Sequence, residues 1–264
     1  MLRTRALPVA FVLLVLTLST AAPAAADSTV RARLEAQNSS GVGGTATLTA
    51  TSGGDLVVHI KATGLMPGPH AQHIHGFEGG GHAMCASMMN DKNGDGIITN
   101  EEGTGEYGTI FLALTTRGDT SAESGLALDR MPQADANGNL EYHRTIPAAD
   151  VPADLLDNMS ALHVVQHGID VNNNGRYDLK ALGESTFAKG LGLPDVPEEA
   201  TNPASCGVVT GASASTSPHG GIETGGVDRD SGPNAPMVLA GLALLTTVVV
   251  AGWFRYVRPT SSRG

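Results

Sequence analysis

Three early stretches alternate apolar and polar residues with a period of two: residues 30–36 (VRARLEA), 44–51 (GTATLTAT) and 55–65 (DLVVHIKATGL). Successive strand side chains leave opposite faces, so this period predicts half-buried β-strands. The Gly and Asn-Ser turns between them predict an antiparallel meander. Residues 108–116, 139–147, 161–170 and 205–212 continue the pattern. Helical periodicity is scarce: residues 152–160 (PADLLDNMS) predict two turns, and neither flank of residues 91–102 reads as a helix. The expected fold is all-β, a sandwich or Greek-key barrel over residues 27–210.

The pattern changes at both ends. Arg3 and Arg5 precede an apolar run over residues 6–18 and then Ala24-Ala25-Ala26, the layout of a signal peptide spanning 1–26. Residues 211–235 are rich in Gly, Ser and Pro and predict a flexible linker. Residues 236–254 carry no charge, and roughly 20 apolar residues suffice to cross a bilayer, so one transmembrane helix is expected there. Arg255, Arg258 and Arg263 follow, which places the tail, 255–264, in the cytoplasm and the barrel outside the plasma membrane.

Charge then narrows the partners. Setting aside Arg3, Arg5 and the three tail arginines leaves 11 Lys and Arg against 26 Asp and Glu over 27–235, a formal charge of −15. A surface this acidic excludes nucleic acid and anionic lipid as natural partners of the exported part. Only Cys85 and Cys206 are present. An isolated pair in an oxidising compartment most often forms one disulfide, two free thiols being the alternative.

Two patterns carry metal chemistry. In residues 64–76 (GLMPGPHAQHIHG), His73 and His75 lie two apart on a predicted strand, so both imidazoles leave one face, an arrangement that suits copper or zinc. Residues 91–102 match a twelve-residue calcium loop. Asp91, Asn93 and Asp95 offer side-chain oxygens, Ile97 a carbonyl, Thr99 a water-linked position and Glu102 a bidentate carboxylate. Gly96 allows the sharp turn and Ile98 is expected to pack inward. Asp170, Asn172, Asn174 and Asp178 repeat the first half of such a loop, but the twelfth position is Ala181; a second calcium site and a plain Asx-rich turn are both open readings. Around Cys85, His82, Met84, Met88 and Met89 offer donors suited to Cu(I), or serve as core filler, the reading favoured here. No hydrolase triad, phosphate loop or nucleotide fingerprint is visible.

Taken in order, GLMPGPHAQHIHG, the Cys85–Cys206 pair, VVQHGID (164–170) and SCGVVTG (205–211) resemble the copper/zinc superoxide dismutases over residues 30–211. The resemblance implies an eight-stranded Greek-key barrel, a Cys85–Cys206 disulfide, and His73, His75 and His167 as copper ligands. An alternative register would place Gln166 in the third role, and His163 and His82 are further candidates. It also implies that His70 braces the barrel. The departures matter as much. Asp91 stands where the bridging histidine would be, the remaining zinc ligands have no counterparts, and Pro203 replaces the arginine that guides the anion. The expectation is a calcium-stabilised, copper-binding module without zinc, in which a calcium-type loop replaces the zinc loop. A copper-only enzyme acting on superoxide is the alternative.

Overall fold

The computed structural model of the protein describes residues 26–81 and 84–214. The signal segment through residue 25, the linker beyond 214, the expected membrane span, the tail and His82 lie outside the described residues. Among the described residues no helix is long and apolar enough to cross a membrane.

The strands are β1 (Ser28–Ala36), β2 (Gly43–Ala50), β3 (Leu56–Thr63), β4 (Gly68–Pro69), β5 (Gln72–Gly76), β6 (Thr109–Ala113), β7 (Gln133–Ala134), β8 (Leu140–Ile146), β9 (His163–His167) and β10 (Pro203–Ala214). Eight of them form one antiparallel sheet in the order β6-β5-β9-β10-β1-β2-β3-β8, curled strongly into a half-barrel, while β4 and β7 pair separately. The meander β1-β2-β3 is as the alternation predicts. The crossovers are tertiary: β8 returns beside β3, and β10 returns beside β1. Strand β10 extends through Ala214, which pairs with Ser28, so the first residues expected in the linker belong to the sheet.

Alternation explains the core. Val30, Ala32 and Leu34 of β1, Leu48 of β2, Leu56, Val58 and Ile60 of β3, and Tyr142 and Ile146 of β8 all point into the curl and are buried together. Side chains of edge strand β8 hold the segment that follows the other edge strand, β6. Tyr142 donates its hydroxyl to the Thr115 carbonyl at 3.0 Å, and Arg144 donates to the same carbonyl at 2.7 Å and to the Gly118 carbonyl.

Helix is short but richer than the pattern suggested: α1 (Asn100–Tyr107), α2 (Ala153–Asp157), α3 (Thr186–Gly190) and α4 (Glu198–Thr201). Helix α2 falls within the predicted turns. Helix α1 corrects the reading that no helix flanks the calcium-type loop. Its residues (NEEGTGEY) include two glycines, poor helix formers, and what starts it is a capping box: the Thr99 hydroxyl accepts from the Glu102 amide while the Glu102 carboxylate accepts from the Thr99 amide. The sequence carries this signal as T-N-E-E, in which Thr99 and Glu102 fit a cation-ligand pattern and a capping box alike.

A second, smaller core lies on the outer face of the sheet. Ala86, Ile98, Tyr107, Val165 and Cys206 pack together with Cys85 against them. This fastens residues 85–107 over β5 and β9 at several points. Cys85 is bonded to Cys206 across 121 residues. In the middle, Asn38 accepts from the Ile98 amide at 2.7 Å and donates to the Ile98 carbonyl at 2.9 Å and the Pro203 carbonyl at 3.0 Å. Asn38 has φ 51°, a left-handed conformation that Asn tolerates better than most residues. Ile98 is buried as expected.

Methionines 84, 88 and 89 are not core filler: all three are exposed, Met89 at 93%. Met84 immediately precedes Cys85, and Met88 and Met89 lie in the turn that follows it.

Closing a loop of this length restricts the unfolded chain, so Cys206→Ser is expected to lower unfolding free energy by about 5 kcal/mol in the chain-entropy estimate. Guanidinium unfolding with and without reductant measures this, and equal midpoints would refute it.

Candidate metal centre

Antiparallel register builds the centre. On β5 and β9, Ile74 lies opposite Val164 and both enter the main core, which sends His73, His75, His163, Val165 and His167 to the other face. His75 lies directly opposite His163, and the His167 amide donates to the Ala71 carbonyl at 2.8 Å just beyond the paired segment. Gln166 faces the opposite way: its amide donates to Gln72 at 3.0 Å and its oxygen accepts from Ser205 at 2.9 Å. The register therefore presents His167, not Gln166, beside His73.

His73, His75 and His167 each offer a ring nitrogen within 4.8 Å of the others'. Ring centroids lie 4.9 Å apart for His73 and His167 and 5.4 Å apart for His73 and His75. All three are buried, at 3–5% exposure. Backbone carbonyls orient two of them. His73 Nε2 lies 2.8 Å from the Gly125 carbonyl, and His167 Nδ1 lies 2.6 Å from the Thr201 carbonyl. A carbonyl only accepts, so these nitrogens carry the proton, leaving His73 Nδ1 and His167 Nε2 as lone-pair donors. Both are buried without a hydrogen-bond partner, as are both nitrogens of His75.

Burial keeps these rings neutral. It lowers His73 to about 4, against the pull of the Gly125 carbonyl. It lowers His167 to about 3, with His73 adding to the effect and the Thr201 carbonyl opposing it. His75 lies well below its ordinary value, first through burial and then through the charges that His73, His163 and His167 would carry; the Gly108 carbonyl opposes this. Neutral imidazoles with unused lone pairs at this separation fit one metal ion, since a metal would satisfy nitrogens that are otherwise costly to bury.

The fourth candidate, His163, is adjacent but outside this set. It stacks on His75 at 5.4 Å and 24°, and both its nitrogens are buried without partners. Tyr107, which closes α1, lies 5.7 Å from His163 and 5.8 Å from His75, its hydroxyl likewise buried and unpartnered. Tyr107, Gly125 and Thr201 escaped the sequence reading. The last two act through main-chain carbonyls, which carry no residue-type signal.

His70, between β4 and β5, ties that stretch of chain to the end of β9. Its Nε2 lies 2.7 Å from the Met66 carbonyl and its Nδ1 lies 2.8 Å from the His167 carbonyl. Gly168, at φ 107°, permits this approach, because a Cβ there would sit 2.7 Å from His70 Nδ1. Pro203 opens β10 opposite His167, in the place the resemblance gives to an arginine.

The two calcium-type loops adopt one hydrogen-bonding scheme. In the first, Asp91 accepts from the amides of Gly94 and Gly96 at 2.8 and 2.9 Å, Asn93 from Asp95, and Asp95 from Ile97. The Glu102 carboxylate accepts from the amides of Lys92 at 2.9 Å and Thr99 at 3.0 Å, the second and ninth loop positions. In the second loop Asp170 accepts from the amides of Asn174 and Gly175 at 3.0 and 2.8 Å, and the Asn174 side chain bonds to Asp178. No local residue supplies the twelfth position. Instead Glu199 of α4, fully buried, accepts from the amides of Val171 and Asp178, both at 3.0 Å and again the second and ninth positions. A carboxylate distant in sequence thus takes the part that Glu102 plays locally.

No family model matches this chain, and no curated protein matches it.

The buried histidines set a pH dependence for the metal-free protein. Their folded values lie below the ordinary 6.5, so unfolding takes up protons in acid. The histidines cost the fold nothing above about pH 6.5 and destabilise it progressively as pH falls toward 4 for His73 and His163 and toward 3 for His167. Each is expected to remove on the order of 1 kcal/mol per pH unit in that window. Urea unfolding from pH 7.5 to 5 in the presence of chelator measures it, and His163→Gln is expected to flatten the slope.

Proposed function

We propose that this chain is an exported, membrane-anchored, superoxide dismutase-like metal-binding domain, in which His73, His75 and His167 hold copper and calcium orders the loop of residues 91–102. The observation that carries the reading is the buried triad, with lone pairs left free on three rings that lie within reach of one ion. The eight-stranded curled sheet and the Cys85–Cys206 bond agree with what the resemblance implies. Imidazole donors suit copper, which when bound supplies one-electron chemistry between Cu(II) and Cu(I). The signal segment, linker and apolar 236–254 segment support placement outside the plasma membrane.

Binding is favoured over rapid turnover. The three rings are nearly closed to solvent, Pro203 stands where a guiding cation would attract superoxide, and the Asp91 oxygens are engaged by Gly94 and Gly96. Calcium is supported by the oxygen-rich loop, whose donors suit a hard cation, and the loop at 170–178 with Glu199 extends the same reading to a second ion.

Titrating copper into the purified full chain tests the centre. One equivalent is expected to bind, with affinity falling at least a hundredfold in His73→Ala, and superoxide decay is expected to stay near the rate without protein. Rapid catalytic decay that His73→Ala abolishes would establish the copper-only enzyme instead. Failure of wild type to bind copper would end the reading. For the loop, limited proteolysis near residue 95 is expected to speed up on calcium chelation and in Asp95→Ala; unchanged cleavage in both would remove calcium from the account.

A further inference from the structure

Beside the first calcium-type loop, and separate from the histidines, lies a cleft of about 380 Å³ between that loop, α1 and the α3–α4 region. Asp95, Glu101, Glu102, Glu184 and Glu198 line it, and no basic side chain does. Three of these carboxylates have other assignments. Asp95 and Glu102, with Asn93, Ile97 and Thr99 on the same wall, belong to the loop proposed above to hold its own calcium, and Glu184 pairs with Lys189 at 2.7 Å. Glu101 and Glu198 remain. They approach from opposite walls and meet at Thr186, whose hydroxyl donates to Glu101 and whose amide donates to Glu198 Oε2 at 3.3 Å.

Two side chains lining the cleft are buried with nothing to bond. Asn202 is fully buried, and neither its amide oxygen nor its amide nitrogen has a partner. Glu198 is 7% exposed, and its Oε1 has no partner. Leaving such groups unsatisfied costs about 1–3 kcal/mol each, and more for a charge. Burial holds the Glu198 carboxyl above its ordinary range and the Glu101 charge adds to this, while the Thr186 amide and the Ser185 hydroxyl pull the other way. A ligand that accepts oxygen lone pairs and carries positive charge would satisfy Glu198 Oε1 and the Asn202 amide oxygen at once.

We infer that this cleft binds a hard divalent cation of the calcium class through Glu101, Glu198 and the Asn202 side-chain oxygen, with water filling the rest of the shell. The donors are all oxygen, and no histidine or cysteine lines the space, which sets the cleft apart from a copper or zinc site. The volume accommodates the several waters that such an ion keeps. The site would join α1 to α4, two elements otherwise distant in sequence.

Calcium titration of the full chain by calorimetry, with copper absent, tests this. Wild type is expected to take up one equivalent more than Glu198→Gln, and the same class of sites is expected to weaken at least tenfold in Glu101→Gln. Glu101 is exposed and holds only the Thr186 hydroxyl among its hydrogen bonds, so that variant keeps the proposal falsifiable if Glu198→Gln fails to fold. Asp91→Ala is expected to remove a different equivalent, which separates the cleft from the loop. Identical stoichiometry and affinity in wild type and Glu101→Gln, or no calcium uptake by wild type, would overturn the inference.

Discussion

Residues 85–107 have to lie flat on the outer face of β5 and β9, and much of the molecule's chemistry depends on that cover. Uncovered, His75 and His163 would stand on a more solvated strand face. Covered by Tyr107 and its neighbours, they lose water, stay neutral through the physiological range and keep unused lone pairs, while Gly125 closes over His73. The cover is held covalently by Cys85–Cys206, at its centre by the Asn38–Ile98 clamp, and at its end by Tyr107 packed on His75 and His163. The small outer core that results closes the His75 and His163 side of the histidine cluster.

Helix α4 has a comparable role for its length. From Glu198 to Asn202 the chain supplies a cleft carboxylate, the brace of the second loop in Glu199, the Thr201 carbonyl that orients His167, and the unpartnered amide of Asn202. The segment leads directly into Pro203 and β10, whose pairing with β9 sets the position of His167. The metal triad, the second loop and the acidic cleft are therefore not mechanically independent. A shift of one turn of backbone would disturb all three.

The features that favour holding a metal oppose fast exchange with solvent. A triad at 3–5% exposure, with two of its rings pinned by carbonyls, is preorganised and closed. An enzyme for a small anion needs an open approach and a positive field near it, and β10 opens opposite His167 with the uncharged Pro203.

Alternation by itself determined the strands, because a period of two leaves little choice for a chain that must bury one face of each. It also placed His73 and His75 on a common side, while the calcium-loop template marked Ile98 for burial. What the sequence could not express is whatever depends on main-chain atoms or distant partners. The carbonyls of Gly125 and Thr201 that fix ring orientation belong to no residue type. The twelfth position of the second loop is filled from Glu199, 21 residues beyond Asp178, where no loop template looks. Thr99 and Glu102 were legible twice, as ligands and as a capping box, and local chemistry does not choose between two uses of one carboxylate. Methionines 84, 88 and 89 look apolar in sequence and lie in water in the fold, because a disulfide fixes the chain beside them and leaves their turn no core to enter. Sequence determines which side chains exist and which share a strand face; only the tertiary structure decides which faces are covered, and covering changes a histidine from a titrating base into a ligand.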